Sequence, residues 1–204
     1  MILIGQYDSP FVRRVAISLR VLGFTYEHDT RSVFGDFDSM RTTNPLGRIP
    51  SLTLDSGETL IDSVAILDWL DREVGPERAL TPVAGPARTK AMQLIALAAG
   101  AVEKFGALNY ETIIRPPAYR WPEWIERVRT QGLGALAALE REDWSANPRI
   151  DQAHITTGCL LGYLALTQPA ATHDFPKLKA FWNRCVVLPE FVDTSVADYG
   201  VPKG

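Results

Sequence analysis

The 204-residue chain is 46% hydrophobic and 22% charged with a net charge of −3, the balance of a folded globular protein and not of a disordered one. A weakly acidic chain is a poor match for nucleic acid or an anionic membrane as main partner, and no uninterrupted apolar run approaches the roughly 20 residues of a membrane span. Met1 leads into a strand start without the basic segment of a secretory signal, and Cys159 and Cys185 fit neither a disulfide framework nor a metal cluster, so the expectation is a cytoplasmic protein with buried thiols and no metal.

The first half alternates short strand and helix signals. Ile2-Leu3-Ile4 is a β-rich run. From Pro10 to Leu22, Val12, Val15, Ala16, Leu19 and Leu22 recur at helical spacing, and Gly23 ends the pattern. Phe24–His28 alternates as a strand does. Ser51–Leu54 and Glu58–Ile61, separated by Asp55-Ser56-Gly57, read as a hairpin. Asp62 then caps a helix carrying Val64, Ile66, Leu67, Trp69 and Leu70. This βαβ-then-ββα order is that of a thioredoxin-like sheet.

After Glu73 the composition changes. Gly75-Pro76 and the run Thr81–Pro86 have no period and mark a boundary, giving a sheet domain over 1–76, a linker over 77–86 and a helical domain over 87–204. Ala87–Ile114 is a long Ala/Leu-rich helix stopped by Arg115-Pro116-Pro117. Trp121–Glu142, Asp151–Leu166 and Pro176–Val187 complete an all-α bundle, so the fold class is a two-domain α+β protein.

Three short segments carry candidate chemistry. Ser9 precedes Pro10 at a strand-to-helix junction, where a hydroxyl sits beside helix amides and the positive end of the helix dipole. A thiolate bound there gains a hydrogen bond of roughly 1.5–3 kcal/mol and about 0.3–1 kcal/mol from the dipole. At about 1.4 kcal/mol per unit, this lowers a thiol pKa by roughly one to three units. Ser9 then stabilises a nucleophile and is not one itself, since no His or acid pair accompanies it. As a plain helix cap Ser9 has an equally simple explanation. In Asn44-Pro45-Leu46-Gly47-Arg48-Ile49-Pro50, the proline opens a strand, where its missing N–H is tolerated. Asp62-Ser63 starts a helix; both are good caps, and the helix amides suit a carboxylate.

Taken together, Ser-Pro-Phe-x-x-Arg, Asn-Pro-Leu-Gly-Arg-Ile-Pro and Asp-Ser in this frame resemble the soluble glutathione S-transferases, most closely bacterial-type members with a Ser-Pro-Phe start. The resemblance implies glutathione as co-substrate, conjugated to a small hydrophobic electrophile, and a homodimer as the assembly. It implies a glutathione site made of Ser9, Phe11, Arg48, Ile49, Pro50, Asp62 and Ser63. There the proline is cis, the Ile49 backbone pairs with the cysteinyl part, Arg48 faces the glycyl carboxylate, Ser63 takes the γ-glutamyl carboxylate and Asp62 the ammonium group. Ser9 is the expected catalytic residue. Tyr7 is the rival, because members with a tyrosine donor carry it near the end of the first strand. The electrophile pocket is expected between the domains, with Phe11, Phe105, Asn109 and Tyr110 as candidates. Trp121 and Trp124 are read as packing or interface residues.

Two departures from the family pattern matter. Members with Cys in place of Ser9 carry out disulfide exchange, which a serine cannot do. The core-helix cap, commonly Ser or Thr followed by Asp three residues on, is here Asp151 followed by His154, so the cap survives without the acid, and a protonated histidine there is expected to oppose the dipole. Two other readings stay open: glutathione-dependent isomerisation, dehalogenation or peroxide reduction on the same fold, and a non-catalytic interaction module.

Overall fold

The computed structural model describes residues 1–145 and 149–196; the end of the expected helical domain, 197–204, lies outside them. Four short strands, β1 (Ile2–Ile4), β2 (Glu27–Asp29), β3 (Ser51–Thr53) and β4 (Thr59–Ile61), form one mixed sheet in the order β2-β1-β3-β4. β1 runs parallel to β2 and antiparallel to β3, and β3 pairs antiparallel with β4. A parallel pair needs a crossover, which α1 (Pro10–Leu22) supplies. The hairpin of β3 and β4 leads into α3 (Ser63–Val74).

Sequence chemistry sets the ends of α1. Ser9 caps it, with Pro10 in the first turn. At the other end Gly23 takes the left-handed φ of 82°, its amide bonds to Arg20 O, and the Phe24 amide bonds to Leu19 O. This is a Schellman closure. It uses the Phe24 amide, so the strand expected over 24–28 forms later, at Glu27–Asp29. Between β2 and β3 lies α2 (Phe37–Thr43), a helix without a sequence expectation, whose one buried residue is Met40.

The second half is helical. α4 (Gly85–Asn109) continues into a π-helical turn over Tyr110–Ile114, and α5 (Pro122–Glu140), α6 (Gln152–Thr167), α7 (Pro176–Cys185) and α8 (Pro189–Val192) follow. Gly85–Ile114 is long and apolar enough to cross a membrane by length and composition alone, but it packs along α5 and α6. α6 is buried on almost every side, as the central helix of a bundle must be, and its contact with α1 joins the two halves. Arg13 of α1 donates to Phe191 O at 3.0 Å and lies over the Trp182 and Phe191 rings. Gly162 of α6 makes the room, since a Cβ there would stand 2.6 Å from Arg13 Nη1.

The start of α6 shows how Asp151 and His154 share the cap. Asp151 Oδ1 accepts the His154 amide at 3.0 Å and contacts His154 Nδ1 at 2.7 Å. The His154 ring also packs edge-on to Trp144 and Phe181. The histidine ring is thus held by Asp151 and packed between aromatic rings as part of the cap. Cys159 and Cys185 are buried free thiols whose pKa values burial pushes up to about 12. Such thiols are unreactive at neutral pH.

Candidate functional site

The N-terminal end of α1, the Gly47–Ile49 turn and the C-terminal end of α4 enclose a cleft of about 630 Å³, within the usual range for small-molecule sites. Its wall includes Ser9, Phe11, Arg48, Ile49, Asn109 and Tyr110, six of the residues expected from sequence.

Local chemistry holds these residues in place. Ser9 Oγ accepts the Val12 amide at 3.5 Å, a long bond at the limit for a cap. Capping uses an oxygen lone pair and leaves the hydroxyl proton to donate elsewhere. The Gly47–Ile49 turn is fixed by Asn44, whose Nδ2 donates to Arg48 O at 2.8 Å and whose Oδ1 accepts the Leu46 amide at 3.0 Å. The Ile49-Pro50 bond is cis. Gly5, at the end of β1, allows the turn and α1 to approach: its φ is 126°, and a Cβ there would meet Val12 at 2.6 Å and Ile49 at 2.8 Å. Pro50 is buried behind the turn.

Asp62 and Ser63 lie beyond this first wall. Asp62 is exposed, accepts the Val64 amide at 2.9 Å and lines a second cleft of about 860 Å³ together with Arg14. Its φ of 68° is uncommon for a residue other than glycine, and such backbone persists where the surroundings hold it. Ser63 is only 2% exposed, and its Oγ accepts from Arg14 Nη2 at 2.5 Å. Phe11 of the first cleft and Arg14 of the second meet on α1, with the Arg14 guanidinium 5.4 Å from the centre of the Phe11 ring.

Phe105 is a correction. It is 1% exposed and packs in the core against Gly132, where a Cβ would stand 2.8 Å from its ring, so it does not line the cleft. Tyr7 also lies away from the cleft wall. It is 7% exposed, its Oη is 2.8 Å from Tyr26 Oη, and its ring stacks on His28. Trp124 is half-buried against the core, while Trp121 is exposed at the start of α5.

The sequence reading missed Asp8, Glu103, Ile113 and Tyr163, all of which line the cleft. Burial pushes the Asp8 carboxyl up, against the lowering effect of backbone N–H groups at Ser9 and Asp8. Burial also pushes the Tyr163 phenol up, and Asn109 Nδ2 donates to its oxygen at 2.7 Å while Asn109 Oδ1 accepts from Gln168 at 2.8 Å. Asp8 could have been found from its place beside Ser9. Tyr163 gives no such signal, being one polar group in the apolar run of α6.

Residues 3–78 match the family model described as glutathione S-transferase, N-terminal domain. A glutathione transferase family member of Pseudomonas fluorescens Pf-5, solved with bound glutathione, is 33% identical with a TM-score of 0.86; the match covers 96% of this chain and 98% of that one. The GST-like protein YibF of Escherichia coli K12 is 29% identical over 94% of this chain and 90% of its own length. The maleylacetoacetate isomerase of Pseudomonas aeruginosa is 28% identical over 68% of this chain and 69% of its own length.

Proposed function

The chain belongs to the glutathione S-transferase family, and on that premise we propose that it conjugates glutathione, through its thiolate, to small hydrophobic electrophiles. The observation that carries this reading is the placement of the Ser9 hydroxyl, at the N-terminus of α1, in the same cleft wall as Arg48 and Ile49. Ile49 pairs with the cysteinyl backbone, Arg48 meets the glycyl carboxylate, Ser63 the γ-glutamyl carboxylate and Asp62 the ammonium group. That arrangement brings the sulfur to Ser9, which donates its proton to the thiolate while its oxygen caps the helix. Charge-assisted hydrogen bonds are the strong ones, and the dipole adds to them. The electrophile occupies the side of the cleft formed by Phe11, Asn109, Tyr110 and Ile113, where the thiolate forms the new carbon–sulfur bond and the leaving group departs.

We place a second copy of the chain against the face between α3 and α4, where Val64, Val83 and Met92 expose apolar surface around the second cleft. The likeness to an isomerase favours one alternative, in which glutathione adds to the substrate and is released again. The experiment is retention on immobilised glutathione, followed by conjugation of 1-chloro-2,4-dinitrobenzene and a panel of further electrophiles. Binding with turnover is the expected result. Binding without any conjugation favours the isomerase reading, and absence of binding contradicts both.

A further inference from the structure

Arg14 is buried to 2% exposure without the partners such burial normally requires. Its Nη2 donates to Ser63 Oγ at 2.5 Å, and its face rests on Phe11. Its Nε has no hydrogen-bond partner, and among the described residues no carboxylate lies within 4.0 Å of it. A buried cation without a counter-ion is costly, and a guanidinium stays protonated. Burial lowers the Arg14 pKa against the raising effect of Cys159, Asp62 and Glu103.

The chemistry of the contact has a direction. A guanidinium has five donors and no acceptor, so Ser63 must accept, and its own hydroxyl proton is left to donate. Ser63 is the first residue of α3, at the positive end of the helix dipole, which favours an anion, although the Val64 amide there is already taken by Asp62. We propose that Arg14 is the positioning residue for the carboxylate end of the glutathione site: it fixes Ser63 as a donor towards the ligand and supplies a buried positive charge that a ligand carboxylate neutralises. The inference rests on the glutathione-binding reading. The alternative is that Arg14 serves only to tie α1 to α3.

The test compares glutathione with 4-aminobutyryl-cysteinyl-glycine, which lacks the γ-glutamyl α-carboxylate, in wild type, Arg14→Met, Arg14→Lys and Ser63→Ala. Calorimetric affinities and ligand-free melting temperatures are measured for each. Wild type should prefer glutathione by about thirtyfold, the range of a charged hydrogen bond. Arg14→Met should reduce that preference to threefold or less without lowering the ligand-free melting temperature, because an uncompensated buried charge has been removed. Arg14→Lys keeps the charge and should retain about tenfold preference, whereas Ser63→Ala, which leaves the arginine in place, should lose most of it. A lower melting temperature in Arg14→Met, with affinity for both peptides falling equally, overturns the inference in favour of the tie. So does an undiminished preference in either Arg14→Met or Ser63→Ala. If Arg14→Met does not fold, the tie is again favoured and this inference is overturned. A wild type that binds neither peptide contradicts the glutathione reading itself, and this inference with it.

Discussion

The two faces of α1 treat neighbouring arginines in opposite ways. Successive residues of a helix point about 100° apart, so Arg13 enters the helical domain while Arg14 turns towards α3. Arg13 donates to the Phe191 carbonyl, with Thr194 Oγ1 at 3.5 Å, and rests on two aromatic rings. Arg14 has one hydroxyl partner, one ring and an unpartnered nitrogen. Neither arginine has a carboxylate within salt-bridge distance among the described residues, but the orphaned buried nitrogen belongs to Arg14 and not to Arg13, and we read it as the one left for a ligand. The site follows the same division, since Ser9 and Asp62 are caps with capacity to spare, whereas Phe105 and Tyr7 are fully engaged in the interior.

Substitutions on the satisfied face should act on stability. Arg13→Met leaves the Phe191 carbonyl without its donor and removes two ring contacts, so it is expected to cost about 3 kcal/mol. A denaturant melt checks this, and a loss below about 1 kcal/mol would break the contrast with Arg14.

The next largest effect belongs to the ligand face. Asp62→Asn keeps an acceptor for the Val64 amide and a side chain that tolerates positive φ, but it loses the charge meant for the ammonium group. Glutathione affinity should fall at least tenfold, about 1.4 kcal/mol, with the melting temperature nearly unchanged. Unchanged affinity would reduce Asp62 to a cap.

The smallest effect lies far from the ligand. Asp151→Ala should cost about 1 kcal/mol and leave glutathione affinity alone. Burial by itself raises the Asp151 carboxyl, but hydrogen bonds from His154 and the Ala153 amide outweigh it and hold the pKa below the ordinary 3.8. A depressed folded value means that this contribution is present above pH 3.8 and lost as pH falls through the folded value. The cost of Asp151→Ala, measured by urea melts, should therefore shrink below about pH 4. A constant cost across that range would show that the carboxylate charge is not involved. His154→Asp, attractive from the family pattern alone, is expected to destabilise, because it removes a ring that Asp151, Trp144 and Phe181 all contact.

The sequence was most legible where local chemistry decides the structure. α1 with its Gly23 stop, the β3–β4 hairpin and the caps at Asp62 and Asp151 all rest on signals within a few residues. It was silent where a tertiary contact decides. α2 has one buried residue, Met40, too few to make a period. Phe105 is core because Gly132 of another helix opens space for it, and Tyr163 reaches the cleft because the end of α4 comes to meet it. The Ser9, Arg48 and Ile49 placements were legible through motif spacing, whereas the Arg14–Ser63 contact joins two motifs that sequence reading treats separately.

The central claim is that the Ser9 hydroxyl holds glutathione as a thiolate, and the ultraviolet thiolate absorbance of the bound complex against pH tests it most directly. Ser9→Ala should raise the apparent pKa of the bound thiol by about one to two units. It should also lower turnover near neutral pH roughly tenfold, with little change in affinity, and Tyr7→Phe should leave the titration almost unmoved. An unchanged titration in Ser9→Ala together with a shift in Tyr7→Phe would contradict the account and transfer the role to Tyr7.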